Sequence, residues 1–288
     1  MPQTILASLT GLGSDRTVLE AAVAAARPVG GHIQCLHTRI DVVEATALMA
    51  TISPHRDTDV HGLLREISNE ERERSHHARQ AFEDACQRHA ISIRDTPGDG
   101  TVISAAWQES KSFLNETLHE ARYHDLTVMG RDEELSPDHL LSVLMLSGRP
   151  LLLAPGKPVS VIGRNVAIAW KATAEAARAL TAASPLLSRA GSVTILSVSE
   201  NGAGDDTDRL SAEHLASRLA WHGIKPDVRM CHSPQSSTSQ ALLDMAYDCD
   251  ADLLVMGAYG HSRVKEFIFG GVTRDLLKGS ALPLFMVR

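Results

Sequence analysis

No stretch of this sequence approaches the roughly eighteen unbroken apolar residues that a membrane-spanning helix needs, so a helical membrane protein is excluded and no membrane partner is expected. Positive charge is not in excess. The formal net charge is −7, whereas a nucleic-acid surface needs clustered Lys and Arg to meet phosphates. The four cysteines, Cys35, Cys86, Cys231 and Cys249, lie far apart with no CxxC or finger spacing. They read as reduced, mostly buried thiols, and no structural metal is expected. The stretch Met1 to Leu9 has no cation ahead of its apolar residues and so lacks the charged region of a signal peptide, which makes the cytoplasm the expected location. Catalytic machinery is missing too. There is no Walker loop with its lysine and no evident acid placed to hold Mg²⁺. The serine-rich run Ser233 to Ser239 has no Gly-x-Ser-x-Gly setting and reads as a loop leading to a helix cap.

What is present is a duplicated pattern. With 288 residues the chain suits two domains, each able to bury a core. Asp125-Leu-Thr-Val-Met-Gly130 matches Asp252-Leu-Leu-Val-Met-Gly257 at five of six positions. Gly31 to Thr38 precedes a similar glycine-then-apolar run, Gly191 to Val198, by 160 residues, and Pro150 to Ala154 is echoed by Pro283 to Val287. Three segments repeated in one order point to an internal duplication. Strands are expected near 3–9, 32–37, 91–95, 125–130 and 150–154, with helices near 14–27, 62–89, 101–122 and 137–147. In the second half strands are expected near 165–170, 192–198, 227–231, 252–257 and 283–287, with helices near 173–188, 208–222, 237–248 and 264–279. Regular alternation of this kind gives an α/β fold, a parallel sheet with helices on both faces. Ligands of such sheets bind at the carboxyl ends of the strands, where the strand order reverses. Two prolines and two glycines between Ala154 and Gly163 mark a linker, setting domains at 1–157 and 163–288.

The stretch from Asp252 to Thr273 carries the functional signal. Its apolar run ends in Gly257, and glycines recur at 260, 270 and 271. Gly270 and Gly271 precede a helical pattern, which would put their amides at a helix N-terminus, where free N–H groups and the dipole favour an anion. The spacing glycine, two residues, glycine, nine residues, glycine is identified as that of the universal stress protein family, and the whole chain resembles a tandem member. The resemblance implies two domains, each an open five-stranded parallel sheet of the adenine-nucleotide alpha-hydrolase-like kind, pairing through their last strands into an internal pseudo-dimer that can pair again as a homodimer. It also implies an adenine nucleotide, ATP first, and a role in stress response. On that reading the amides around Gly257, Gly260, Gly270, Gly271 and Val272 hold the phosphates, with help from the Thr273 hydroxyl. His261 and Arg263 either approach the phosphate tail or point to solvent. Val198 touches the base, and Trp170 stacks on the base or fills its pocket. Two positions depart from the family. Gly271 stands where the motif has a small hydroxyl residue. Lys171 stands where ATP-binding members usually carry an aspartate, and it favours a more anionic ligand.

The halves diverge after the shared glycine. Gly130 is followed by Arg131-Asp-Glu-Glu134, with no second glycine, and three carboxylates in the place of a phosphate site repel a nucleotide. The charge is skewed the same way: the residues up to 160 hold 15 basic and 22 acidic side chains, the rest 13 and 13. The first half is therefore expected to be degenerate. Glu70 to Arg74 reads as a solvated helix face or a surface for a protein partner. Three functions remain open at this level: a nucleotide-binding regulator that is not an enzyme, a nucleotide-free scaffold for a protein partner, and a weak ATPase.

Overall fold

The computed structural model describes residues 3–39, 60–96, 102–111, 116–132, 137–199, 206–232, 236–259, 271–278 and 280–288. In the first half they form β1 (Gln3–Leu9), α1 (Asp15–Ala26), β2 (Gly31–Arg39), α2 (Val60–His89), β3 (Ser92–Ile93), β4 (Ser104–Lys111), α3 (Glu116–Ala121), β5 (Leu126–Met129), α4 (Pro137–Leu146) and β6 (Leu151–Leu153). The second half follows with β7 (Asn165–Ala169), α5 (Ala174–Leu187), β8 (Ser192–Ser199), α6 (Thr207–Ala220), β9 (Asp227–His232), α7 (Thr238–Tyr247), β10 (Leu253–Gly257), α8 (Gly271–Lys278) and β11 (Leu284–Val287).

All these strands lie in one sheet of 11, in the order β3-β4-β2-β1-β5-β6-β11-β10-β7-β8-β9. Within each half the pairing is parallel. The halves meet where β6 and β11 run antiparallel, with Leu153 opposite Leu284, Leu152 opposite Phe285 and Leu151 opposite Met286. The last strands thus pair inside one chain, the arrangement that the sequence resemblance implied. Each is apolar throughout and fully buried, which only strands covered on both faces tolerate.

Two layers of helix cover the sheet. One apolar cluster runs from α1 and α2 through Leu152, Ile162 and Phe285 to α5 and α6. The other joins α3 and α4 to α7 and α8 through Leu151, Leu153, Leu284 and Met286. Both therefore cross from half to half. Helix α1 is alanine-rich because it has no free side: every residue but Arg16 is buried, between the sheet and α2. Gly11, at φ +75°, brings the backbone of Arg74 in α2 against the turn before α1, where a Cβ would overlap it.

The repeated acid has a structural role. Asp252 accepts hydrogen bonds from the backbone N–H groups of Gly163, Arg164 and Asn165, fixing the start of β7 beside β10. Asp125 does the same for β1 by accepting from the amide and hydroxyl of Thr4.

Three expectations change. The helix expected over 101–122 is instead strand β4 followed by the short α3. Ser104 to Lys111 contains good helix formers, yet it pairs with β2 along its whole length; the buried Ala105 and Ala106 fit under the helices, and Trp107 packs against Phe82 of α2. Tertiary pairing overrides propensity here. The strand expected near 91–95 is the short edge strand β3, and the unexpected β4 beside it makes six strands in the first half rather than five. Within Glu70 to Arg74, Glu71 is buried rather than solvated. All four thiols are free. Cys35 and Cys86 are buried while Cys231 and Cys249 are partly exposed, and burial pushes the Cys35 thiol well up from its ordinary pKa.

Because both core clusters cross the β6–β11 seam, Leu152→Ala should lower stability by about 2–5 kcal/mol while urea unfolding stays a single transition. Two separated transitions, with only one of them shifted, would show that the seam does not couple the halves.

Candidate functional site

The order of the second half, β11-β10-β7-β8-β9, reverses between β10 and β7. Chain leaving β10 turns one way and chain leaving β7 the other, which opens a crevice at their carboxyl ends. A cleft of about 480 Å³ lies there, walled by Ala169 of β7 with Trp170 and Lys171 after it, Val198 of β8, Met256 and Gly257 of β10, and the starts of three helices.

Those helix starts define the electrostatics. Thr173 caps α5, its hydroxyl accepting from the Ala176 amide at 3.3 Å. Ser237 caps α7, accepting from the Gln240 amide at 3.3 Å. Helix α8 brings Gly271, Val272 and Thr273 to the wall. Three positive dipole ends therefore face one space, and Lys171, exposed at its rim, is the basic side chain among the described lining residues. Asp275 is the acid among them, with Ser239 donating to it at 3.4 Å.

Gly257 is needed for a steric reason. A Cβ there would stand 2.5 Å from the Ala176 amide nitrogen and 2.7 Å from the Glu175 carbonyl carbon, so its absence lets α5 begin directly against β10. Gly271 is different: a Cβ there would meet nothing within 4 Å. Two amides after Gly257 are already engaged. Ala258 donates to the Val287 carbonyl at 2.8 Å, and Tyr259, at φ +60°, donates to the buried Thr273 hydroxyl at 3.4 Å. This narrows the set of amides around Gly257 that can reach an anion. The Tyr259 phenol is raised above its ordinary pKa by burial, Arg274 opposing.

Of the residues singled out in the sequence, Trp170, Lys171, Val198, Gly257, Gly271, Val272 and Thr273 all line this cleft. Gly260, His261, Arg263 and Gly270 lie outside the described residues, as does 264–270 of the helix expected there. Trp170 is held in the wall, its indole N–H donating to Ser211 of α6 at 3.0 Å. Sequence reasoning missed Thr173, Ser237, Thr238, Ser239, Tyr259 and Asp275 as lining residues. The signal that could have found the three serine and threonine positions of α7 was its cap, placed directly after β9, since helix starts in such sheets gather at the carboxyl ends of the strands.

In the first half the chain's own carboxylates meet the start of α1. Asp132, two residues past Gly130 as Tyr259 is past Gly257, accepts from the Ser14 amide at 3.0 Å, the Ser14 hydroxyl at 2.6 Å and the Thr10 hydroxyl at 2.9 Å. Asp15 turns back to accept from the amides of Thr10 at 2.7 Å and Gly11 at 2.9 Å. Burial raises the Asp15 pKa, with those amide hydrogen bonds opposing. The donors at the start of α1 thus already hold carboxylates. Among the described residues, no group of three or more His, Cys, Asp or Glu is arranged to hold a metal ion, and no helix is long and apolar enough to cross a membrane.

Such an arrangement defines a doubly wound α/β protein, built twice in one chain, with an open crevice at the switch point of its second half. Residues 164–288 match the model of the universal stress protein family. A universal stress protein from Archaeoglobus fulgidus DSM 4304 has the same fold over both halves, with a TM-score of 0.67 at 20% identity, covering 99% of this chain and 98% of that one. A functionally unknown protein from Pseudomonas aeruginosa PAO1 superimposes with a TM-score of 0.58 at 14% identity, covering 99% and 92%. Among curated proteins, none matches the sequence.

Gly257→Ala should displace the start of α5 and cost about 1–3 kcal/mol, measured by urea unfolding, whereas Gly271→Ala should be within about 1 kcal/mol of wild type. Equal effects at the two glycines would contradict the steric account.

Proposed function

We propose that residues 163–288 form a domain that binds an adenine nucleotide, ATP first, and that the chain is a cytoplasmic stress-response sensor or regulator rather than an enzyme. The observation that carries this is the convergence of three helix N-termini and Lys171 on an open cleft at the switch point, in the half that matches the family. Its volume, about 480 Å³, falls within the range of roughly 300–1,000 Å³ typical of small-molecule sites. The phosphates sit against the amides of Gly271 and Val272 at the start of α8, with the Thr273 hydroxyl beside them, and Gly260, His261, Arg263 and Gly270 are proposed as further phosphate contacts. Base and ribose lie toward Val198 and the Ser237 to Ser239 cap. Lys171 adds a charge that favours the more phosphorylated ligand. The first half, residues 1–157, is a degenerate domain whose own carboxylates replace a nucleotide. Asp275, the acid among the described lining residues, already accepts from Ser239, and hydrolysis of bound ATP is slow at most.

The reading is tested by native mass spectrometry and calorimetry of the full chain. ATP should bind at one per chain, and Lys171→Glu should weaken it about tenfold, a change of about 1.4 kcal/mol. No co-purifying nucleotide, together with no heat signal at millimolar ATP, would overturn it and leave the glycines as turn formers.

A further inference from the structure

The loop after β5, which in the first half has lost its glycines, sends one side chain across the seam. Arg131 donates from Nη1 to the Leu277 carbonyl at 3.1 Å and from Nη2 to the Ser280 carbonyl at 2.8 Å. Leu277 is in the last turn of α8 and Ser280 lies just beyond its end. The last carbonyls of a helix have no partner within it and carry the negative end of its dipole. A planar guanidinium can satisfy two of them at once. Burial lowers the Arg131 pKa, so this cation has left much of its water behind and has backbone carbonyls instead.

The opposite end of the same helix presents Gly271, Val272 and Thr273 to the cleft. Helix α8 has eight residues and so spans about 12 Å, too far for Arg131 to touch a ligand there. We infer that Arg131, a residue of the first half, is a positioning residue for the ligand site of the second: it pins the C-terminal end of α8 and so fixes where its N-terminal amides face the cleft. The device is one-sided at this place, because the residue directly after Gly257 is Ala258, which has no donor side chain. The first half receives a weaker return contact elsewhere, Arg288 Nη1 to the Met145 carbonyl at 3.5 Å near the end of α4. The loop that gave up an anion site in one half thus braces the anion-facing helix of the other.

This inference rests on the nucleotide reading above, and its test separates the two. ATP and adenosine affinities are measured by calorimetry for the wild-type chain, Arg131→Met and Arg131→Lys, with Arg149→Met as a control that removes another half-exposed arginine from the first half. Amide hydrogen exchange of α8 is followed in parallel. Arg131→Met should weaken ATP about tenfold and adenosine less than about twofold, because the brace acts through the amides that meet phosphate. Arg131→Lys, which keeps the charge, should stay within about threefold, Arg149→Met should match wild type, and α8 amides should exchange about tenfold faster in Arg131→Met. Equal losses of ATP and adenosine, or wild-type affinity in Arg131→Met, would overturn the positioning role and leave the nucleotide reading standing. A wild-type chain that binds no adenine nucleotide would remove that reading; exchange then decides the brace alone, and unchanged exchange in α8 overturns it. Should Arg131→Met fail to fold, Arg131→Gln, with one amide donor retained, carries the same comparison.

Discussion

The antiparallel pairing of β6 with β11 is the contact on which the rest of the molecule depends. Each strand is short, apolar and buried on both faces, and each ends its own half. Left alone, either would be an open, apolar sheet edge, a surface prone to pair with other chains. Paired with each other inside one chain, they join two sheets into one and let both helix layers share cores across the seam. Of the edges that remain, β3 is very short and β9 exposes Asp227, Arg229 and His232 while half-burying Val228, Met230 and Cys231, a pattern suited to solvent.

Duplication also explains how one half can change without unfolding the other. In both copies the Asp-Leu-x-Val-Met-Gly run has the same two jobs: the acid fixes the start of the first strand, and the glycine admits the helix that follows that first strand. Gly130 packs against Ser14 much as Gly257 packs against the start of α5. These requirements belong to the fold and hold whether or not a ligand binds. The residues after the glycine are free of them, and there the copies part. One supplies Asp132 to the start of α1 and Arg131 to the end of α8; the other leaves a cleft open to three helix starts.

The cleft was largely legible in the sequence because its chemistry sits close to recognisable strand ends. Trp170 and Lys171 follow one strand, Val198 lies near the end of another, and Gly271 to Thr273 open the last helix, so locating the strands located them. Ser237 to Ser239 and Asp275 were harder to place, since their position depends on how α7 and α8 lean over the sheet. Trp170 illustrates the same limit. Its place at the rim followed from the strand, but its tie to Ser211, 41 residues away, came only from the packing of α6.

The sequence by itself determined the duplication, the α/β alternation, the apolar last strands and the glycine spacing, because each is a local pattern of residue types at fixed intervals. It misassigned 104–111, where local helix propensity was outweighed by pairing with β2, a partner some 72 positions away at Ser104 and His32. Only the tertiary structure decided the register of β6 against β11, that Asp132 ties the first-half loop to Ser14 and Thr10, and that Arg131 reaches α8 across 146 residues of chain. Those outcomes turn on which distant groups satisfy each other's hydrogen bonds, and such partnerships leave no periodic mark in the sequence.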